Sequence, residues 1–120
     1  MDAIDVLRKY WGHTQFRLRQ EEIIKQIGER KDTLALLPTG GGKSVCYQVP
    51  AIMQEGICLV ISPLISLMID QVRFLQSKGI KSVFITSGMQ YNEIDRVLTN
   101  CIYGGVKFLY LSPEKLQNHL

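Results

Sequence analysis

A chain of 120 residues, 46% hydrophobic and 21% charged, has the make-up of one ordinary globular domain with a small core, neither disordered nor fibrous. Its net charge of +3 is too slight to demand a nucleic-acid partner, and no apolar run approaches the ~20 residues of a membrane helix. Cys46, Cys58 and Cys101 lack C-x-x-C spacing, which argues against a disulfide framework or a zinc site and for small apolar residues in a reducing compartment.

The amino terminus, Met1-Asp2-Ala3-Ile4-Asp5, shows no basic-then-apolar signal peptide, so an intracellular (cytoplasmic) protein is expected. Ile4, Leu7 and Trp11 recur at helical spacing, and Gly12 stops that first helix. A second helix is predicted from Leu18 to about Ile27, with Ile23, Ile24 and Ile27 facing inward and Gly28 as its stop. Arg8, Lys9, Arg17, Arg19, Lys25, Arg30 and Lys31 bring half of the fourteen basic residues into this opening stretch, a pattern usual for solvated helix faces.

Four apolar strands are predicted next, at Thr33 to Leu37, Ile57 to Ile61, Ser82 to Ile85 and Lys107 to Leu111. Helices are predicted between them at Lys43 to Gln54, Leu64 to Ser77 and Tyr91 to Ile102, with Pro50 ending or bending the first. In the middle helix Leu64, Leu67, Met68, Val72 and Leu75 form the stripe of a helix packed on a sheet. This alternation predicts a parallel α/β sheet whose strands are buried on both faces, with ligands at the carboxyl ends of the strands. No linker divides residues 1–120 into two domains.

The run LPTGGGKS, Leu37 to Ser44, joins the first predicted strand to a helix and reads as a phosphate-binding loop. Gly40, Gly41 and Gly42 let a polyphosphate approach the backbone N–H groups; Lys43 would meet the β- and γ-phosphates, and the Ser44 hydroxyl would be a ligand of Mg²⁺. Leu37 stands where the general pattern has glycine. A Gly-rich turn beside a surface lysine is the structural alternative.

Several segments together carry a resemblance. Phe16-Arg17 with Gln20, the run LPTGGGKS followed by Val45-Cys46-Tyr47-Gln48-Val49-Pro50, Ser62-Pro63-Leu64-Ile65-Ser66-Leu67-Met68 with Asp70-Gln71, and Tyr110-Leu111-Ser112-Pro113-Glu114 resemble the first RecA-like domain of superfamily 2 DNA helicases, above all the RecQ family. The family commonly carries Pro-Gly where this chain has Leu18-Arg19, and it does not require glycine at the position of Leu37. The resemblance implies a P-loop NTPase (RecA-like) fold, a three-layer parallel sheet with helices on both faces, truncated here.

It also implies ATP and Mg²⁺ as cofactors. Phe16, Arg17, Gln20, Pro38, Thr39, Gly40, Gly41, Gly42, Lys43 and Ser44 would hold the nucleotide, with Lys43 the catalytic residue and Ser44 on the metal. Gln20 would hydrogen-bond adenine and Arg17 would lie against the base; on residue grounds alone Gln20 is an exposed glutamine of an amphipathic helix. Ser62, Pro63, Leu64, Ser87, Ser112 and Glu114 would touch single-stranded and forked DNA, although Ser-Pro equally suits a helix N-cap.

The implied activity is ATP-driven unwinding of duplex DNA with 3′-to-5′ polarity. No apolar strand ending in Asp-Glu is found, and the family's Asp-Glu-x-His motif would lie beyond Leu120, so the chain reads as a fragment inactive on its own. An RNA helicase, another phosphate-loop NTPase such as a small-molecule kinase, and a non-catalytic nucleotide-binding module remain open. Oligomeric state is not legible.

Overall fold

The computed structural model describes residues 2–17, 19–34 and 43–114. Residues 1–55 and 56–120 form two compact units.

The first unit holds α1 (Ala3–Trp11), α2 (Gln20–Gly28) and α3 (Lys43–Met53). Asp2 and Asp5 make a reciprocal capping box at the start of α1, each side chain accepting from the other's backbone N–H. Gly12 ends α1 in the left-handed region at φ 74°, as expected, and its N–H donates to the Arg8 carbonyl. Val6, Leu7, Ile24 and Val49, one or two from each helix, form the core, with Phe16, Trp11, Val45 and Ile52 packed around them.

The ends of α2 and α3 add detail to the reading of the sequence. Gly28 does not stop α2; it is the last helical residue, and Arg30 takes the left-handed conformation at φ 61°. The Arg30 N–H donates to Ile27 and the Lys31 N–H to Gln26, the paired bonds of a Schellman ending, so the turn falls two residues later than the glycine. Of the two effects expected of Pro50, ending or bending α3, the first does not occur. It removes one donor but is itself buried, and the helix runs on to Met53.

The predicted strand at Thr33 to Leu37 is not seen in its described part, Thr33 and Leu34; its remainder lies outside the described residues.

The second unit alternates β1 (Cys58–Ile61), α4 (Ile65–Ser77), β2 (Ser82–Ile85), α5 (Tyr91–Tyr103) and β3 (Phe108–Leu111). All pairings are parallel and the order is β1-β3-β2, so the last strand in sequence is central. Phe108, Leu109 and Tyr110 are all buried; because successive side chains point to opposite faces, both faces of β3 are covered. Ile94 of α5 packs on Ile85 and Leu109, with Val83 and Leu111 around them. Met68, Val72 and Leu75 are the buried side of α4, which packs on β2 and β3.

Burial on both faces does not extend to β1, where Leu59 is 58% and Ile61 44% exposed. They pair in register with Leu109 and Leu111 and so share the face on which α5 packs, but α5 lies over β2. Leu64 and Leu67 are also exposed, contrary to the expected stripe. Leu64 is the N-cap of α4 rather than a helical residue, and Leu67 projects about 100° round the helix from Met68.

Candidate nucleotide and nucleic-acid sites

Lys43 and Ser44 are the first two residues of α3, Lys43 exposed and Ser44 half-buried. The opening turn of a helix presents unbonded N–H groups and the positive end of the helix dipole, and the first turn of α3 carries no acidic side chain to occupy them. An anion is the ligand this end accepts. Pro38, Thr39, Gly40, Gly41 and Gly42, expected to complete the loop, lie outside the described residues.

Phe16, Arg17 and Gln20 belong to the same unit. Phe16 packs on the core cluster that includes Val49 of α3, while Arg17 is exposed. Gln20 is only 3% exposed, not the solvated helix glutamine of the residue-based alternative. Its Oε1 accepts from the Arg17 N–H at 2.8 Å, and its own N–H donates to the Arg17 carbonyl at 3.1 Å.

In the second unit the strand register places Ser62, Ser112 and Thr86 next to one another, each the residue that follows β1, β3 and β2. Three hydroxyl side chains thus occupy adjacent positions at the carboxyl edge of a parallel sheet, where such folds bind ligands. The Ser62 N–H donates to the Leu111 carbonyl at 3.0 Å, and Ser62 Oγ accepts from the Leu64 N–H at 3.3 Å. This is a local hydroxyl turn ahead of α4 rather than its N-cap, which is Leu64. Pro63 and Leu64 are exposed beside it.

Ser112 is 1% exposed and its hydroxyl has no hydrogen-bond partner among the described residues. Glu114 and Ser87 are exposed. Thr86 lies in a strand-end loop that the sequence offers for ligand binding, but it was not among the residues expected to touch nucleic acid; its position directly after a strand, like Ser62 and Ser112, was the available signal. Its segment is a turn in which the Met89 N–H donates to the Thr86 carbonyl at 3.2 Å.

A cavity of ≈ 290 Å³ lies at the opposite, amino end of β2, lined by Gln76, Lys81, Ser82 and Asn100 among others. Two of its polar groups are spent on backbone: Gln76 Nε2 donates to the Ser82 carbonyl at 3.0 Å and Lys81 Nζ to that of Gly104 at 2.7 Å.

Nucleophilic thiol chemistry finds no support. Burial pushes the thiols of Cys46, Cys58 and Cys101 above their ordinary range, holding them as neutral S–H groups. Among the described residues no group of three or more His, Cys, Asp or Glu can hold a metal ion, and no helix is long and apolar enough to cross a membrane.

A parallel sheet with crossover helices and hydroxyls along its carboxyl edge, in a chain with a helix that opens on Lys43-Ser44, defines an α/β protein of the kind that binds ligands at its strand ends. The model of the DEAD/DEAH box helicase family matches residues 17–120. The chain belongs to that family. It is 46% identical over 114 residues to "ATP-dependent DNA helicase RecQ" of Pasteurella multocida, covering 95% of this chain and 18% of that protein. The RecQ protein of Bacillus subtilis is 46% identical over 115 residues, with coverage of 95% and 20%. The "ATP-dependent helicase wrn-1" of Caenorhabditis elegans is 41% identical over 113 residues, with coverage of 94% and 10%. The likeness to RecQ helicases expected from the motifs is borne out, and the chain spans a fifth or less of the length of these three relatives.

Proposed function

We propose that this chain is the ATP-binding and part of the DNA-contacting portion of a RecQ-type helicase, which couples ATP hydrolysis to 3′-to-5′ movement on single-stranded DNA and opens forked duplexes. The observation that carries this reading is the near-complete alignment with proteins named as ATP-dependent DNA helicases, at 46% identity, across the segments that hold Lys43, Ser62 and Ser112. The opening turn of α3 takes the phosphates, with the Lys43 ammonium against the outer ones and the Phe16–Gln20 segment serving the base. Pro38, Thr39, Gly40, Gly41 and Gly42, which lie outside the described residues, are assigned to the same phosphates by the sequence resemblance alone.

Ser44 is the oxygen donor for Mg²⁺ that arrives on the nucleotide, a hard cation suited to a hydroxyl and phosphate oxygens. When bound, the ion neutralises phosphate charge; this chain contributes the helix end, the ammonium and the hydroxyl.

Ser62, Pro63, Leu64, Ser87, Ser112 and Glu114 form the nucleic-acid side. Hydroxyl and backbone groups at a sheet edge suit sugar-phosphate contact, which positions a strand without reading its sequence. The protein works in the compartment that holds DNA.

The test is strand separation by the full-length protein on duplexes with a 3′ or a 5′ single-stranded tail, with ATP turnover measured with and without single-stranded DNA. DNA-stimulated turnover and opening of the 3′-tailed duplex alone are expected. Preference for the 5′ tail would refute the polarity, and turnover indifferent to DNA would refute the motor.

A further inference from the structure

Thr86, the first residue past β2, gives both of its backbone groups to one residue. Its N–H donates to Met89 Sδ at 3.4 Å, and its carbonyl accepts from the Met89 N–H at 3.2 Å. The second bond closes a four-residue turn with Ser87 and Gly88 at its centre. The first uses a thioether, a weak acceptor, to satisfy the main-chain donor of a half-buried residue.

Met89 is also held by packing. Gln90 is the N-cap of α5 and makes no side-chain cap bond. Met89 therefore precedes the cap and Ile94 is the fourth helical residue, the two positions of a hydrophobic staple, and Met89 packs on the cluster of Ile85, Ile94 and Leu109. A long, unbranched thioether can fill such a gap while its sulfur faces a neighbouring N–H. One side chain thus ties the exit from β2 to the entry of α5.

Ser87 and Gly88, between these ties, are exposed, and neither backbone N–H has a hydrogen-bond partner among the described residues. Ile85 pairs with Leu111, which puts the turn beside Ser112 at the carboxyl edge of the sheet. Two main-chain donors and a hydroxyl in a short, tied turn suit a sugar-phosphate backbone.

We propose that Met89 is a positioning residue for nucleic acid: its sulfur, by taking the Thr86 N–H, holds the turn that presents the Ser87 hydroxyl and the Ser87 and Gly88 N–H groups to single-stranded DNA. This rests on the nucleic-acid side proposed above, of which Ser87 is a member. Met89 acts from behind the turn, half-buried, without touching the strand.

Met89→Leu keeps the apolar volume and removes the acceptor, a swap that packed clusters tolerate. The Thr86 N–H then has to find water, and the turn loosens. In the full-length protein, the concentration of oligothymidylate that half-maximally stimulates ATP turnover is expected to rise about threefold, with kcat at saturating DNA and KM for ATP each within about 1.5-fold. A side chain that merely fills the cluster would leave that concentration where it was, and an unchanged value would overturn the proposal.

Ser87→Glu tests the underlying reading separately. A carboxylate in the turn repels phosphate, and the same concentration is expected to rise about tenfold. If Ser87→Glu moves it and Met89→Leu does not, the turn meets DNA but Met89 does not position it. If neither moves it, the nucleic-acid reading of Ser87 falls and the proposal with it. An effect of Met89→Leu alone would act by some route other than the turn and would also overturn the proposal.

Amide hydrogen exchange in the unmutated protein needs no variant to fold. Thr86 is expected to be protected with and without the oligonucleotide, and Ser87 and Gly88 only when it is bound. Thr86 exchanging as fast as Ser87 in the free protein would show that the sulfur does not hold the turn.

Discussion

Ser62 and Ser112 stand side by side at the end of the β1–β3 ladder, because the Ser62 N–H donates to the Leu111 carbonyl at 3.0 Å one residue beyond both strands. The two hydroxyls nonetheless have different situations. Ser62 accepts from the Leu64 N–H at 3.3 Å, whereas Ser112 is buried without a partner among the described residues. Ser62→Ala should therefore destabilise by about 0.5–1 kcal/mol, the net worth of an intramolecular hydrogen bond. Ser112→Ala should be neutral or stabilise by up to about 1 kcal/mol, since it deletes a desolvated, unbonded hydroxyl. Urea unfolding of the two variants checks the difference in sign; a loss on Ser112→Ala as large as on Ser62→Ala would mean that Ser112 has a partner.

Lys43 sits at the positive end of the α3 dipole, where a cation is unfavourable unless an anion joins it. In the full-length protein Lys43→Ala should therefore abolish ATP turnover while leaving the melting temperature unchanged or slightly higher, a gain of about 0.3 kcal/mol at an exposed helix start. Turnover and thermal melting measured on one preparation check both halves. Retained DNA-stimulated turnover would remove Lys43 from the site.

Helices α2 and α4 end in the same way but with different residues. In α4 the left-handed position is Gly79 at φ 79°, with the Gly79 N–H bonded to Gln76 and the Ile80 N–H to Leu75. In α2 that position is Arg30 at φ 61°, where a Cβ meets the carbonyl oxygen that glycine avoids. Arg30→Gly should raise stability by about 0.5–1 kcal/mol, the left-handed penalty less the entropy glycine adds to the unfolded chain. A fall in the denaturation midpoint would show that the arginine side chain contributes more than its backbone costs.

These endings also mark what the sequence can and cannot convey. Strand β2 and helix α5 were legible almost to the residue, because Ser82–Ile85 is an apolar run bounded by polar turns and Tyr91–Tyr103 carries a clear helical period. The stop of α2 was misplaced because Gly28 suggested the left-handed residue, while backbone hydrogen bonding put it at Arg30. Leu67 could not be told from Met68 by hydrophobicity; only the direction from which the sheet approaches α4 decides which is covered. In the candidate sites, residue types and order were legible, but the burial of Gln20 and the alignment of Thr86 with Ser62 and Ser112 depend on a turn and on a register set by residues far apart in the chain.

The three thiols predict a pH dependence at the alkaline end. Burial raises the pKa of Cys46, Cys58 and Cys101 in the folded protein, so the unfolded chain releases these protons at lower pH than the native one. The stability held in the neutral thiols is fully present below the ordinary thiol range and is lost as pH rises through it toward the folded values. Alkylation by iodoacetamide at pH 8 should be slower than for a free thiol and should accelerate on adding urea. Rapid labelling of the native protein at pH 8 would show a thiolate that the fold does not suppress.

Leu59 and Ile61 carry the last consequence of the strand order. With β3 central and α5 over β2, the face of β1 that bears these two side chains is uncovered, and β1 pairs only with β3 among the described strands. An exposed apolar edge strand is a template for association, and native proteins blunt such edges with lysine. The purified 120-residue chain is expected to self-associate as its concentration rises. Leu59→Lys should shift it toward monomer without unfolding it, because the residue is 58% exposed while its neighbours Cys58 and Val60 form the half-buried side of the strand. Light scattering across a concentration series checks this. A chain that stays monomeric without the substitution would mean that the β1 face is not sticky at those concentrations, and an unfolded Leu59→Lys would mean that the side chain is packed more closely than its exposure indicates.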